Sequence, residues 1–443
     1  MSVYITCGTS GGGLPIFSRK KGNAETLPFS VIGSLNGIHM FGKPFGIEIL
    51  DTLTDDYAVS WKEFEDSIIL IGVASGCSID VLNRVLVDIF NTTVLIVGIK
   101  ELKLQRNIER LKRELRIAFP VIDRIMDSLD CGDASNKHTS DIVGFAETIL
   151  CTENHLIQIV LDSFTEYVDS MFSCILVEGK IAAATESWWS LHPDELRLLS
   201  LLAVSENITD SKDIPVFLPH KSPTVAFRFV VCTLIPEVQL CCLCGPTPPL
   251  NEIELSATQI FRNSADILNA AAQCIPRNFP ASYIIDSSIL GQLLVNCVSK
   301  KYMISKSPQQ LTKKSATSSH RLDILRTFFY RAVLNNLILS EDSYDKQNNS
   351  ILSNECDNLE VVENAGIETY WCSEYHKCHA LRIGDNVLSI LYNSTVPTNA
   401  LRAITEKTLR QLISDKQFRK KSIILVNKKI KLIFSYWKRL YGS

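Results

Sequence analysis

No segment of the sequence is predicted to insert into a membrane or to direct secretion. None of its apolar runs reaches the roughly 18 uncharged residues that a bilayer span requires. Its first residues, MSVYITCGTS, contain neither a basic stretch nor a long apolar one, so no signal peptide is predicted. We therefore expect a cytoplasmic protein whose 14 cysteines stay reduced and act mainly as small core residues.

Recognisable catalytic and phosphate-binding motifs are also missing. The sequence has neither GxSxG nor HExxH. The glycine-rich segment Gly8–Gly13 lacks the lysine and the following helix of a phosphate-binding loop, so we predict a hairpin turn there. We expect no catalytic residue and no cofactor. One alternative stays open, a cysteine-dependent enzyme, because a cysteine and its histidine partner can be distant in the chain.

One short segment contains residue types that bind metals. In WCSEYHKCH, the residues Cys372, His376 and Cys378 would share one face of a strand, and His379 would lie on the other face. Structural zinc sites usually take pairs of ligands from two separate segments, and no matching pair is found elsewhere in the sequence. The sequence therefore predicts no metal site.

Charge is unevenly distributed along the chain. The 45 basic and 48 acidic residues nearly balance, but nine basic residues and no acidic one lie in the basic tail, residues 416–443. The preceding body has 36 basic against 48 acidic residues, a sign that argues against nucleic-acid binding. Because aromatic and aliphatic residues alternate with the basic ones, the tail could bind an anionic membrane surface.

The same order of elements (hairpin, helix, three strands, helix) is predicted three times. In the first copy the elements are Val3–Cys7, Leu14–Ser18, the helix Phe29–Phe41, Phe45–Thr52, Tyr57–Phe64, Ser67–Val73 and the helix Ser78–Phe90. In the second they are Phe172–Val177, Lys180–Thr185, the helix Pro193–Val204, Ile214–Leu218, Val225–Leu234, Val238–Cys244 and the helix Asn251–Cys274. The third copy covers Ile289–Leu412. A repeat of whole units determines the fold before any local motif does.

This order predicts an α+β protein of three longin-like domains, each a five-stranded antiparallel sheet with packed helices. The 443 residues are enough for about three domains of roughly 150 residues each. The predicted limits are 1–135 for the first domain with an extended C-terminal helix, 142–276 for the second and 280–415 for the third. Polar stretches support these limits: Asp130–Asp141 between domains, and the inserts Ser299–His320 and Ser340–Gly366 in the third.

The first helix contains two glycines four residues apart, Gly33 and Gly37, which therefore share a face. Each glycine costs a helix about 1 kcal/mol relative to alanine, so close packing on that face would explain them. Either the domain's own sheet or the helix of a partner longin domain could pack there. We predict Gly33, Gly37, Asn36 and His39 as partner-binding residues.

Several long segments resemble the Fuzzy family of planar cell polarity effector proteins. They are LPFSVIGSLNGIHMFG, WKEFEDSIILI, NIERLKRELR, AATESWW, PVFLPHKSPTV and LCGPTPPL, all between Leu27 and Leu250. The third unit is similar mainly in its order of elements. The basic tail departs from the family pattern, and no family function is transferred to it.

The resemblance implies a three-longin protein that pairs with Inturned, in the manner of longin-type exchange factors for Rab GTPases. With the propeller protein Fritz and a Rab-like GTPase, such a pair would form an assembly at the cytoskeleton of the ciliary base. This assembly would support ciliogenesis and intraflagellar transport. In related pairs the first helix and adjoining strands of the first domain form the binding surface. A scaffold or vesicle-trafficking adaptor that recruits a GTPase without nucleotide exchange is the alternative.

Overall fold

The described part of the chain forms three β-sheets in succession. A computed structural model describes residues 2–414, apart from 23–24, 106, 128, 130–141, 143, 152, 169, 206–210, 276, 280–282, 307–316 and 339–366. The stretch Asp130–Asp141, the insert Ser340–Gly366, part of the insert Ser299–His320 and the basic tail lie outside the described residues.

The first domain has a five-stranded antiparallel sheet of order β2-β1-β5-β4-β3. Its elements are β1 (Ser2–Thr9), β2 (Pro15–Lys21), α1 (Phe29–Gly42), β3 (Asp51–Leu53), β4 (Ala58–Phe64), β5 (Ile68–Ser75) and α2 (Ile79–Val97). Three further helices follow, α3 (Ile99–Leu104), α4 (Ile108–Glu114) and α5 (Phe119–Asp127). The predicted turn at Gly8–Gly13 is confirmed, since the Thr9 and Leu14 backbones close a hairpin between β1 and β2.

One predicted strand of the first domain is wrong in extent. Phe45–Thr52 was expected to be extended, but a 3₁₀ turn at Lys43–Phe45 follows α1 directly, and β3 begins only at Asp51. Pro44 lacks a backbone N–H, and Gly46 adopts a left-handed conformation with φ of 67°. Both features are incompatible with a regular strand ladder, so the chain turns before it pairs.

Alternation along β5 separates the two faces of the first sheet. Ile68 and Leu70 belong to the core under α2, together with Leu82 and Leu86 of that helix. The next residues in the alternation, Ile69 and Ile71, pack with Trp61 on the opposite face, below α1. The helices α1 and α2 therefore cover opposite faces of one sheet.

The second domain repeats the plan with strand order β8-β7-β11-β10-β9. The helix α6 (Asn154–Val168) precedes it. Its elements are β7 (Phe172–Val177), β8 (Lys180–Ala184), α7 (Glu186–Trp189), α8 (Pro193–Val204), β9 (Lys212–Leu218), β10 (Ser222–Ile235), β11 (Val238–Cys244), α9 (Leu250–Phe261) and α10 (Ala265–Ala272). A 3₁₀ turn at Arg262–Ser264 divides the last helix, which the sequence had predicted as a single one over Asn251–Cys274.

Helix α2 lies between the first and second domains and is buried along most of its length. Fourteen of its 19 residues are buried, as expected for a helix with neighbours on more than one side. Its residues share one core with Val216 of β9 and with Leu198 and Leu199 of α8. Within this core, Arg197 Nη1 donates to Asp88 Oδ2 at 2.7 Å, and both side chains are almost fully buried. The first two domains are thus joined by a continuous core that contains an ion pair.

The third domain has six strands in the order β14-β15-β16-β12-β13-β6. Its elements are β12 (Ile289–Asn296), β13 (Lys301–Lys306), α11 (Thr317–Phe328), β14 (Glu368–Cys372), β15 (His376–Ile383), β16 (Asn386–Asn393) and α12 (Thr398–Ser414). A π-helical segment, Phe329–Ile338, continues α11. The sixth strand, β6 (Ala146–Glu147), is the difference from the predicted five, and it pairs parallel with β13.

The segment that supplies β6 contacts both neighbouring domains. Thr148 forms a parallel bridge with Ile181 of the second sheet, and its amide donates to Tyr302 O of the third. The Tyr302 hydroxyl accepts from the Ile142 amide at 3.1 Å. The predicted domain limits stay predictions, whereas the predicted α+β class with three largely antiparallel sheets is confirmed. No helix in the described ranges combines the length and apolar character that a bilayer crossing needs.

The ion pair in the shared core gives a stability prediction. Asp88→Leu removes the carboxylate that accepts from Arg197 Nη1 at 2.7 Å, and losing one member of a buried pair costs about 3–5 kcal/mol. The double variant Asp88→Leu/Arg197→Met should recover a large part of this loss, because it removes both charges. Urea unfolding of the single and double variants measures the difference. Equal stability of the Asp88→Leu variant and the wild type would contradict the prediction.

Candidate functional site

The outer surface of α1 is apolar and largely exposed. Of its 14 residues, His39 and Gly42 are buried. Phe29 and Phe41 are each 74% exposed, and Val31 and Ile38 are exposed as well. The helix contains no Asp, Glu, Lys or Arg. An apolar helix that its own domain leaves largely uncovered has the character of an interaction surface.

Gly33 and Gly37 lie on the open side of this helix. A Cβ atom added at either position would meet no atom within 4 Å in the described part of the chain. The alternative that these glycines pack on their own sheet therefore does not hold. The small residues Ser30, Ser34, Gly33 and Gly37 instead form a shallow stripe that a second helix could approach closely.

The other two predicted residues lie elsewhere on α1. Asn36 is partly buried beside the β1–β2 turn, where a Cβ at Gly13 would come within 2.1 Å of Asn36 Nδ2. His39 is buried, and its Nε2 lies 3.2 Å from Glu63 Oε2. Neither side chain belongs to the exposed stripe. Their predicted role in partner binding stays a prediction, and in the structure His39 connects the helix to β4 whereas Asn36 bonds Met40 within α1.

A polar cluster fixes the C-terminal half of α1 on β4. The Glu63 carboxylate accepts hydrogen bonds from Lys43 Nζ at 2.6 Å and from the Ser10 hydroxyl, besides its contact with His39. Burial alone would raise the pKa of Glu63, but the hydrogen bonds from Lys43, Ser10 and His39 lower this pKa below its ordinary value. Trp61 of β4 also binds the helix, since its Nε1 donates a hydrogen bond to the Leu35 carbonyl oxygen at 3.0 Å.

An apolar groove continues from α1 into the loop that follows it. The Phe41 and Phe45 rings pack with centroids 5.6 Å apart. The groove has a volume of about 410 Å³ and is lined by Ser34, Gly37, Ile38, Phe41, Gly42, Phe45, Ile47 and Ile49. Beyond the groove, Leu50, Leu53 and Tyr57 are also exposed. We call α1 and this loop, Phe29–Tyr57, the α1 face.

The repeat supplies an internal comparison for the α1 face. Helix α8 occupies the position of α1 in the second domain, and eight of its residues are buried, including Leu196, Arg197, Leu199 and Leu202. It is covered by α2 and α5 of the first domain. The same structural element is therefore covered by a neighbouring longin-like domain in one copy and is open in the other.

The predicted metal-ligand types in WCSEYHKCH do not converge. Cys372 is exposed at the end of β14, whereas Cys378 is buried in the core of the third domain. His379 Nδ1 lies 2.8 Å from the Thr405 hydroxyl of α12, on the other face of the sheet. The parity that the sequence predicted for Cys378 and His379 is confirmed.

Sequence reasoning identified the helix but missed the apolar side chains that dominate its surface. The residues predicted on α1 were its glycines, Asn36 and His39, and the prediction did not include the exposed Phe29, Ile38, Phe41 and Phe45. The available signal was the absence of charge over the whole of α1, which predicts coverage on every side. The sequence could not indicate that no element in the described part of the chain covers this side of α1.

The fold defines a class, proteins with three longin domains in one chain, and family comparisons agree with it. Residues 3–125, 168–262 and 288–416 match the first, second and third longin domains of FUZ, MON1 and HPS1. The chain is 34% identical to the protein fuzzy homolog of Xenopus tropicalis over 425 residues, 94% of this chain and 99% of that protein. It is 33% identical to the Homo sapiens homolog over 93% of this chain and 97% of that protein. The chain belongs to the Fuzzy family of three-longin proteins.

The open glycines give a prediction with an internal control. Gly33→Leu/Gly37→Leu should fold normally and should raise the free energy of unfolding by up to about 1 kcal/mol per site, because each glycine disfavours the helix. Gly42→Ala at the end of the same helix is the control, since its new Cβ would lie 2.5 Å from the Ile47 backbone oxygen. The control should lose about 1–3 kcal/mol through overpacking. Thermal unfolding distinguishes them, and a destabilised glycine double variant would contradict the open geometry.

The polar cluster under α1 predicts a dependence on pH. A carboxyl group whose pKa is lowered by folding stabilises the protein above its ordinary pKa, 4.5 for glutamate, and this stabilisation is lost as the pH falls below that value. The difference in melting temperature between the wild type and Glu63→Gln should therefore be largest at neutral pH and should shrink under acid conditions. Glu65→Gln, which removes a surface pair with Lys103, serves as the control. A difference that is independent of pH would refute the assignment.

Proposed function

We propose that this chain is a non-catalytic longin subunit that pairs with Inturned through the α1 face. The pair would bind a Rab-family GTPase and accelerate release of its nucleotide, in support of planar cell polarity, cilium assembly and intraflagellar transport. The assembly would include the propeller protein Fritz and would act in the cytoplasm, at the cytoskeleton of the ciliary base. The observation that carries this proposal is the contrast between the open α1 and the covered α8.

The contrast supports a longin domain as the partner. Within the chain, a helix in the position of α1 is covered by the helices of an adjacent longin domain. The α1 face offers the same kind of apolar surface, widened by Phe41 and Phe45 and by the groove between them. The small residues Gly33 and Gly37 would allow the axis of a partner helix to lie close to that of α1. Inturned, a multi-longin protein, has the architecture to supply that element.

Nucleotide exchange is compatible with a surface that carries no catalytic groups. An exchange factor makes and breaks no bond in the nucleotide, and it stabilises a GTPase whose switch loops have released phosphate and Mg²⁺. Shape and apolar contact are sufficient for that task. Because one longin sheet offers half of a composite platform, the second half would come from the partner.

A scaffold that recruits a GTPase without exchanging its nucleotide would use the same surface, so the two readings differ in kinetics. A vesicle-trafficking adaptor is a variant of the scaffold hypothesis.

The hypothesis of a cysteine-dependent enzyme has the least support. Burial raises the pKa of the Cys7 thiol far above its ordinary value and that of Cys378 to about 12. Cys244, whose pKa a hydrogen bond with Cys242 lowers to about 7, is buried in β11.

The decisive measurement is release of labelled GDP from Rab-family GTPases. This chain alone should leave the rate near its spontaneous value, and the chain with Inturned should accelerate it. Phe41→Asp should abolish both pairing in a pull-down and the acceleration, because it places a charge in the centre of the α1 face. The matched control is Leu255→Asp, which changes an apolar side chain that is 62% exposed on α9 of the second domain.

Three outcomes separate the readings. Exchange through the α1 face is supported if the chain pairs with Inturned and accelerates GDP release, if Phe41→Asp loses both effects, and if Leu255→Asp keeps them. Pairing and GTPase binding at the spontaneous rate of GDP release would establish the scaffold instead. Unchanged pairing of the Phe41→Asp variant would refute the α1 face as the interface.

A further inference from the structure

Three side chains with metal-binding atoms converge at the start of α8. They are His192, Asp194 and His220, and their ligand atoms all lie within 4.8 Å of one another, the one such group found among the described residues. His192 is the N-cap of the helix, and Asp194 is in its first turn. His220 comes from the turn between β9 and β10. The cluster therefore joins two segments that are 28 positions apart.

The two separations that involve Asp194 are close to the edge lengths of a zinc coordination sphere. Asp194 Oδ2 lies 3.5 Å from His192 Nδ1 and 3.3 Å from His220 Nε2. In a tetrahedral site with bonds of about 2.0–2.1 Å, two ligand atoms are about 3.3–3.4 Å apart. Imidazole nitrogen and carboxylate oxygen are both among the ordinary ligands of zinc.

A buried carboxylate holds the two backbone segments in place. Glu195 is fully buried. Its Oε2 accepts from the His192 amide at 3.1 Å, and its Oε1 accepts from the His220 and Lys221 amides at 2.8 and 2.9 Å. One side chain thus attaches the start of α8 to the turn that carries His220. Such support fixes the backbone from which metal ligands project.

Entry of an ion requires a local rearrangement of the two rings. The His192 and His220 rings are stacked with centroids 3.7 Å apart and planes 27° apart. Zinc lies in the plane of each imidazole that binds it, so the rings must rotate away from the stack. Both side chains are exposed, which leaves room for this rotation. Binding at His192 Nδ1 would also replace a long hydrogen bond from the Asp194 amide, 3.3 Å.

The position at a helix N-terminus opposes a cation, but only weakly. The helix dipole changes an equilibrium constant by a factor of about two to five at an exposed site. The Asp194 carboxylate offsets this effect because it lies within the cluster. The three ligands leave one coordination position open to water, as in zinc sites with three protein ligands.

We propose that His192, Asp194 and His220 form a binding site for a single Zn²⁺ ion on the second longin domain. The site is independent of the α1 face and of the proposed pairing. The sequence predicted no metal site. The ligands of the site come from two separate segments, and neither segment by itself has the spacing of a metal-binding motif.

The test is calorimetric titration of ZnCl₂ into the purified full chain that has first been stripped of metal with a chelator. We expect saturable binding of one ion at this site and an increase in melting temperature with zinc concentration. His220→Gln and Asp194→Asn should each weaken zinc binding more than about 100-fold, since even the loss of a supporting hydrogen-bond partner costs about 10–100-fold. His155→Ala, an exposed histidine on α6, is the matched control and should bind as the wild type does.

Cobalt(II) separates this site from the cysteines. Cobalt bound by imidazole and carboxylate lacks the thiolate-to-metal charge-transfer absorption that a cysteine ligand gives. Saturable binding without that absorption, lost in His220→Gln, supports the site. Absence of saturable binding, a thiolate signature for the bound ion, or equal affinity in His220→Gln would each overturn it. His220 lies outside α8, so this variant leaves the helix cap intact and stays informative if Asp194→Asn unfolds.

Discussion

The burial of α2 between two sheets is the constraint on which the rest of the architecture depends. This helix covers the inner face of the first sheet and packs at the same time against β9 and α8 of the second domain. It contains Asp88, and a carboxylate in such a core must be paired, which Arg197 of α8 does at 2.7 Å. The pair links α2 of the first domain to α8 of the second, and a shift of either helix would separate the two buried charges. The face of the first sheet that α2 covers is therefore buried against the second domain of the same chain.

This burial determines which surface remains available. Because α1 lies on the opposite face of the first sheet, no element of the described chain that packs against α2 can reach it. The result is an asymmetry between two copies of the same unit. Helix α8 is buried by its neighbour, whereas α1 keeps its phenylalanines and glycines exposed. Repeated units in one chain can thus differ in function through their neighbours rather than through their fold.

The sequence predicts the order of elements well because hydrophobic periodicity is a local property. Helix Pro193–Val204 and strands Phe172–Val177 and Val238–Cys244 are found with the predicted limits. The failures have local and non-local causes. Phe45–Thr52 has the composition of a strand, but Pro44 and Gly46 turn the chain. The sixth strand of the third sheet, Ala146–Glu147, is two residues long and gains its partner from a segment about 155 positions away, which no local pattern encodes.

The site was predicted only in part for the same reason. Two glycines on one helical face indicate a close approach, and Gly33 and Gly37 are indeed on the open side of α1. Whether another element covers this side is not a local property, and the apolar residues around the glycines have the same composition as a buried helix. Likewise, His192 and His220 each belong to a short motif of ordinary composition. Their proximity depends on Glu195, which becomes evident only when the turn after β9 is placed against α8.

The way α1 is attached bears on how it could bind. Its intrinsic helical tendency is low: two glycines lie in its interior, and its N-cap, Pro28, offers no side-chain hydrogen bond. The helix is instead stabilised by contacts with its own sheet. Trp61 donates a hydrogen bond to the Leu35 carbonyl, and the Glu63 carboxylate contacts His39 and Lys43. A surface held in this way is ordered before a partner arrives, so association does not have to order it. The exposed side of α1 can then carry glycines and serines, which would weaken a free helix, because its stability comes from the buried side.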